Sequence, residues 1–280
     1  MNKTQIAVIS GAVVLIVLLL FANTRLPKKE GKPVMSDHAG SNNTGTSTLL
    51  ENAKKALSTD QKLIFEKQEQ ALKVSPDKKQ SFENNVHVWD SLRQPVIAAY
   101  YMEQLAISSP TEKNWNEAGN RYYGAARFVK ETDKPTLYEK AIECLEKALE
   151  LNPENIDAKI KLAACYVEGS SEPMKGIGLL REVEKTDSNN VDLQLNFAFF
   201  SVKSGQWDKA IARFKKVLIL QPDFIEAYLH LADAYEQKGD TLKTIESLEK
   251  YISLIDDVTI KSEVQNYINK LSKGSSRGEQ

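Results

Sequence analysis

The sequence predicts an all-α chain, built as a solenoid of stacked helix hairpins and closed at its carboxyl end by a capping helix. Three observations carry that expectation. From Leu49 to Leu271 apolar residues recur at spacings of three and four, with no long alternating run of β-branched residues. Gly and Pro fall between the periodic stretches rather than inside them. The chain also repeats itself: KAIECLEKALELNPENIDAKIKLAACY, Lys140 to Tyr166, returns as KAIARFKKVLILQPDFIEAYLHLADAY, Lys209 to Tyr235, 69 residues later. A single helix pair cannot bury its apolar face alone, so pairs recurring at a fixed period must stack.

The amino end is a different kind of segment. Ile6 to Phe21 reads IAVISGAVVLIVLLLF, sixteen residues without a charge and without a polar face. As a helix it rises about 24 Å, and Thr4, Gln5 and Ala22 extend it towards the roughly 30 Å needed to span a bilayer. Residues 1–22 are therefore expected to form a transmembrane or signal-anchor segment, with membrane contact through residues 6–21. Lys3 supplies the basic start of a signal sequence, but Leu20 spoils the cleavage site at Ala22 and no Cys comes after it, so an uncleaved anchor is preferred. Arg25, Lys28, Lys29 and Lys32 after the span, taken literally, hold the body in the cytoplasm. Short amino-terminal anchors nonetheless tend to export the domain behind them, and the expectation leans to a periplasmic body on a bacterial inner membrane, a cytoplasmic one staying open.

Residues 23–48, NTRLPKKEGKPVMSDHAGSNNTGTST, carry Pro, Gly, Ser, Thr and Asn with few large apolar groups, the composition of a flexible linker. Residues 49–112 are a divergent helical region. VIAAYYMEQLAISSP places Ala98, Met102, Leu105 and Pro110 at repeat offsets, and Trp89 stands where a first helix has its tyrosine. Residues 113–257 hold four units. Ile260, Val264, Ile268 and Leu271 make one apolar stripe in residues 258–272, the expected cap, and residues 273–280 are a polar tail expected to be disordered.

Within residues 113–257 the units share a pattern. Trp115, Ala118, Gly119 and Tyr122 open the first, which closes with Ala141, Leu145, Ala148 and Pro153 ten residues late, the extra length being FVKETDKPTL. Leu162, Ala163 and Tyr166 open the second, closed by Gly176, Leu180 and Val183. Phe197, Ala198, Ala210, Phe214, Val217 and Pro222 mark the third; Tyr228, Leu231, Ala232, Tyr235, Gly239, Thr244, Leu248 and Tyr251 mark the fourth. This resembles the tetratricopeptide repeat (TPR) family, W-x2-L-G-x2-Y then A-x3-F then P. Small residues let paired helices approach, Leu, Phe and Tyr fill the seam, and proline ends the unit.

The resemblance implies a right-handed superhelix whose first helices line a concave protein-binding face through positions 2, 5, 9, 12 and 13. Carried over, these give Asn116, Asn120 and Tyr123; then Asp157, Ile160 and Ala164; then Leu195, Phe199 and Lys203; then Glu226, Leu229, Asp233 and Gln237. Phe199 and Leu229 stand out as apolar anchors, or else pack under their neighbours. The family's carboxylate clamp is not reproduced: Asn120 matches, but Asn116, Lys161, Asp192 and Asn196 do not, and Asp192 would repel a carboxylate.

Composition narrows the chemistry. With 37 basic against 38 acidic residues the formal charge is -1, which disfavours nucleic acid. Two cysteines, Cys144 and Cys165, and three histidines, His38, His87 and His230, show no ligand spacing, and phosphate-binding or nucleophile-elbow motifs are missing. No catalytic residue, cofactor or metal is expected. The functional expectation is a membrane-tethered adaptor for a protein or peptide partner at a bacterial envelope, self-association staying open. The alternative is a structural subunit of an envelope complex.

Overall fold

The computed structural model describes residues 43–275, with side chains from 48 to 273. Every regular element among them is helical. The α-helices are α1 (Asn43–Lys55), α2 (Thr59–Val74), α3 (Lys78–Ser91), α4 (Pro95–Ser108), α5 (Glu112–Ala125), α6 (Lys134–Leu151), α7 (Ile156–Gly169), α8 (Pro173–Thr186), α9 (Val191–Lys203), α10 (Trp207–Leu220), α11 (Glu226–Gln237), α12 (Thr241–Leu254) and α13 (Val258–Ser275). The fold is an all-α solenoid of stacked antiparallel hairpins, α3–α4, α5–α6, α7–α8, α9–α10 and α11–α12, each packed on the next.

Local chemistry sets these boundaries. Thr111, Asn155 and Asn190 begin α5, α7 and α9 as caps, each side-chain oxygen accepting from a backbone N–H three residues on. Pro95 and Pro173 open α4 and α8, where a missing N–H costs nothing. Gly205 and Gly239 turn the α9–α10 and α11–α12 hairpins with φ of 68° and 75°. At the corresponding place in α3–α4 stands Arg93, with φ 55°.

Close helix approach depends on residues without side chains. A Cβ on Gly119 would lie 2.5 Å from Cγ of Leu145, and one on Gly176 would lie 2.4 Å from the carbonyl oxygen of Ala163. The apolar interior is divided along the stack. One large cluster runs from Leu49 in α1 to Tyr166 in α7. A second joins Ile160, Leu180, Val183, Leu193 and Phe200; a third joins Ala198, Phe214, Leu231 and Tyr235; a fourth joins Ala232, Leu248 and Ile268. From α3 onward, α8 and α9 touch more lightly than any other consecutive pair. Helix α13 closes the stack with Ile268 buried and Val264 and Leu271 packed beside it, while Ile260, expected in the same stripe, is 39% exposed.

The anchored architecture is corrected. No helix of the described residues is long and apolar enough to cross a membrane. A spanning helix needs about 20 apolar residues, and even the 18-residue helices α6 and α13 carry Lys and Glu along their length. Residues 6–21, which carried the transmembrane, signal-anchor and single-pass expectations, lie outside the described residues, as do most of the linker and residues 276–280. Membrane attachment, an envelope address and a periplasmic body are therefore not carried forward. Helix α1 begins at Asn43, inside the stretch expected to be a flexible linker.

Candidate functional site

The first helices of consecutive hairpins, α5, α7, α9 and α11, present the face residues singled out from sequence, and side-chain rungs connect neighbours. Between α5 and α7, the Tyr123 hydroxyl donates to Glu168 at 2.9 Å, Lys161 lies 4.7 Å above the Tyr123 ring, and Asn155 donates to Glu112. Tyr138 at the start of α6 donates to the other oxygen of Glu168, also at 2.9 Å. Burial and Glu168 together push both phenols well above their ordinary range. Between α7 and α9, the Lys203 ammonium donates to the Val167 carbonyl at 3.2 Å. Between α9 and α11, Phe199 meets His230 edge-on, ring centres 4.9 Å apart.

Phe199 is 41% exposed although its ring also leans on Phe214 at 5.5 Å. His230 stacks on Phe214 at 5.1 Å. Burial holds the His230 imidazole below its ordinary pKa, partly opposed by Asp233 and Glu226. Phe199 of α9 and His230 of α11 form an aromatic surface partly open to solvent, backed by the fully buried Phe214 of α10.

The remaining expected face residues separate into three groups. Asp157, Lys203, Glu226, Asp233 and Gln237 are exposed. Ile160 and Ala164, on one face of α7, are closed off at 3% and 2% exposed, and both belong to the second apolar cluster. Leu195 is half-buried against the third cluster and Leu229 against the fourth. Of the two apolar anchors expected from sequence, only Phe199 offers substantial surface.

Sequence reasoning missed a polar feature of α3 and α5. Oδ1 of Asn85, Nε1 of Trp89, Oδ1 of Asn116 and Oδ1 of Asn120 are buried among the described residues without a hydrogen-bond partner. Asn116 and Asn120 are themselves face positions one helical turn apart. Leaving such a group unpaired costs about 1–3 kcal/mol. No sequence signal marks an unsatisfied atom, because satisfaction depends on what the neighbouring helix places opposite it.

Among the described residues no group of three or more His, Cys, Asp or Glu side chains could hold a metal ion. Cys144 and Cys165 are free and buried, and burial pushes both thiols upward.

Comparison with known proteins agrees with the architecture. A tetratricopeptide repeat model matches residues 137–155 and 225–257, and a TPR repeat model matches residues 202–239. A curated relative, "BBSome complex member BBS4 homolog" of Drosophila melanogaster, is 24% identical over 139 residues, 49% of this chain. The chain spans 28% of that relative's length. A tetratricopeptide repeat protein from Parabacteroides merdae has the same fold, with a TM-score of 0.56 at 14% identity over 84% of this chain and 89% of its own. MamA from Desulfovibrio magneticus superposes with a TM-score of 0.49 at 18% identity, over 64% of this chain and 95% of its own. The repeat matched is that of an interaction scaffold rather than of a catalyst.

Proposed function

We propose that the chain is a non-catalytic scaffold subunit that assembles with protein partners through its first-helix face. The observation that supports this most is the pair of orphaned amide oxygens on Asn116 and Asn120. Both oxygens are closed off as placed, so a docked segment reaches them when the two partly buried amides turn outward to accept its backbone N–H groups, gaining the hydrogen bonds they lack. Phe199, farther along the stack, supplies apolar contact area of the kind that dominates binding energy. The Drosophila relative is named as a member of a multi-protein complex, which favours a subunit over a free-standing adaptor.

The test is affinity capture with the full chain as bait, comparing the parent with Asn116→Ala/Asn120→Ala and with Phe199→Ala. The expected result is one companion at near-equal stoichiometry, lost with the double substitution and weakened with Phe199→Ala. Because the double substitution removes unpaired oxygens, stability by denaturant titration should hold or rise. Unchanged capture by a well-folded double variant would refute the face, and several sub-stoichiometric companions would refute the subunit assignment.

A further inference from the structure

A second surface lies apart from the first-helix face, where the extra FVKETDKPTL length of the α5–α6 connection meets α1. Helix α1 packs against α4 and α6. Between α1, the α3–α4 turn and residues 128–133 runs a groove of about 910 Å³. Its floor includes Leu49, Ala53, Val96 and Val129, of which Leu49 and Val96 are 6% and 8% exposed. Exposed Lys55, Arg93 and Lys130 stand around that floor against one carboxylate, Asp133. None of the three cations makes an ion pair among the described residues, in contrast to Lys54, Arg121 and Lys134 close by.

Two further features converge here. Phe128, at the end of the short 3-10 turn Ala126–Phe128, is 73% exposed, more than any other Phe, Tyr or Trp ring among the described residues. It also borders a smaller depression of about 300 Å³ with Arg127, so the cationic surface continues past it. Arg93 occupies the left-handed backbone region where the equivalent hairpin turns have Gly205 and Gly239. An L side chain is disfavoured there, and glycine would relieve the turn. What Arg93 adds in return is a guanidinium on the rim of the groove, able to grip a carboxylate with two parallel hydrogen bonds.

We propose that this groove docks an acidic peptide segment of a partner protein, an extended stretch rich in Asp and Glu with one large apolar side chain seated beside Phe128. Charge complementarity selects the occupant: three free cations surround a net-positive groove in a chain whose formal charge is -1. The shape favours a peptide over a bilayer surface, because the apolar floor is recessed below the cations and receives a side chain. The groove shares no residue with the first-helix face, so its occupancy is independent of that face.

The experiment uses the full chain and a fluorescein-labelled octapeptide, Asp-Glu-Asp-Phe-Asp-Glu-Asp-Glu, monitored by anisotropy. Saturable binding is expected, weakened about tenfold between low and physiological salt. Arg93→Gly and Lys130→Ser should each weaken it about tenfold, near the effect of one lost charged contact. Arg93→Gly should melt at or above the parent's temperature, separating a binding role from a structural one. Replacing the peptide's Phe by Ser should weaken binding to the parent chain but not further in Phe128→Ser. Absence of saturable binding, or equal binding by well-folded Arg93→Gly and Lys130→Ser, overturns the proposal. So does the groove serving another occupant: phosphatidylserine vesicles bound in place of the peptide, or concentration-dependent self-association abolished by Arg93→Gly.

Discussion

Gln194 is fully buried at the start of α9, and its side-chain oxygen accepts a hydrogen bond from Arg213 of α10 at 2.8 Å. The same guanidinium group donates to Glu184 of α8 at 2.6 Å and lies 4.5 Å from the Phe197 ring centre. The Gln194 amide donates to the Ser188 carbonyl at 2.7 Å, which also receives the Lys216 ammonium at 2.6 Å. Where α8 and α9 touch lightly, this polar network joins them through α10.

Arg213→Met should therefore cost about 1–3 kcal/mol, because it strands the Gln194 oxygen and leaves Glu184 without its partner. Pairing it with Gln194→Leu should cost less than the two single changes added together, since neither variant then leaves the other half of the bond unpaired. Denaturant titration of the four proteins measures this coupling. Additive losses would show that the two side chains do not act as a unit.

His230 makes the carboxyl-terminal hairpins sensitive to acid. Its folded pKa lies below the unfolded value, chiefly through desolvation, with Asp233 and Glu226 opposing and the Phe199 and Phe214 rings packed against it. The unfolded chain consequently binds the proton more readily. This contribution to stability is fully present above about pH 6.5 and is lost as the pH falls through the lower, folded value. The thermal midpoint should drop across that window in the parent and drop less in His230→Phe. An identical profile in the two proteins would assign the acid sensitivity elsewhere.

Gly176→Ala should destabilise the α7–α8 hairpin by about 1–3 kcal/mol, the usual cost of overpacking. The added carbon would meet backbone at Ala163, which cannot rotate away. Gly178, on the same helix with open space around its Cβ position, is the control. Gly178→Ala should be neutral or stabilising, as alanine is the better helix former. Parallel melts of the two variants test the contrast.

Glu103 is 6% exposed and accepts hydrogen bonds from the Tyr122 hydroxyl at 2.6 Å and the Lys140 ammonium at 3.3 Å. Burial acts to lower Lys140, but Glu103 and Glu143 more than offset it and leave its pKa raised. Glu103→Ala should cost about 1–3 kcal/mol, chiefly by leaving the buried Tyr122 hydroxyl without an acceptor, since Lys140 keeps Glu143 at 2.9 Å. Adding Tyr122→Phe should recover part of the loss, as read by the urea midpoint.

The repeat register was legible because its determinants are local. Ala118, Gly119, Tyr122, Ala141, Leu145 and Ala148 recur at helical spacing, and all are buried as that spacing implies. Burial on the first-helix face was less legible, since it depends on the neighbouring hairpin. Asn116 and Ile160 occupy the same repeat position, yet Asn116 keeps an unpaired amide oxygen while Ile160 is closed over by Leu180, Leu193 and Phe200. The groove beside Phe128 was legible only as surplus length. FVKETDKPTL breaks the period, but nothing in it announces that α1 folds back to form the opposite wall. The apolar amino-terminal run was read for its hydropathy alone, and the described helices carry no counterpart to it.

The division of the interior into one large apolar block and three smaller ones has a mechanical consequence. A load applied between the two ends of the described stack would pass through every block but deform them unequally. The block from Leu49 to Tyr166 shares its contacts among seven helices and would move as a stiff body. Beyond it, the smaller clusters would give way before the large block, so that the stack would lengthen in steps. A partner gripping the first helices on both sides of the α8–α9 junction would act as a splint, converting a compliant rod into a rigid strut.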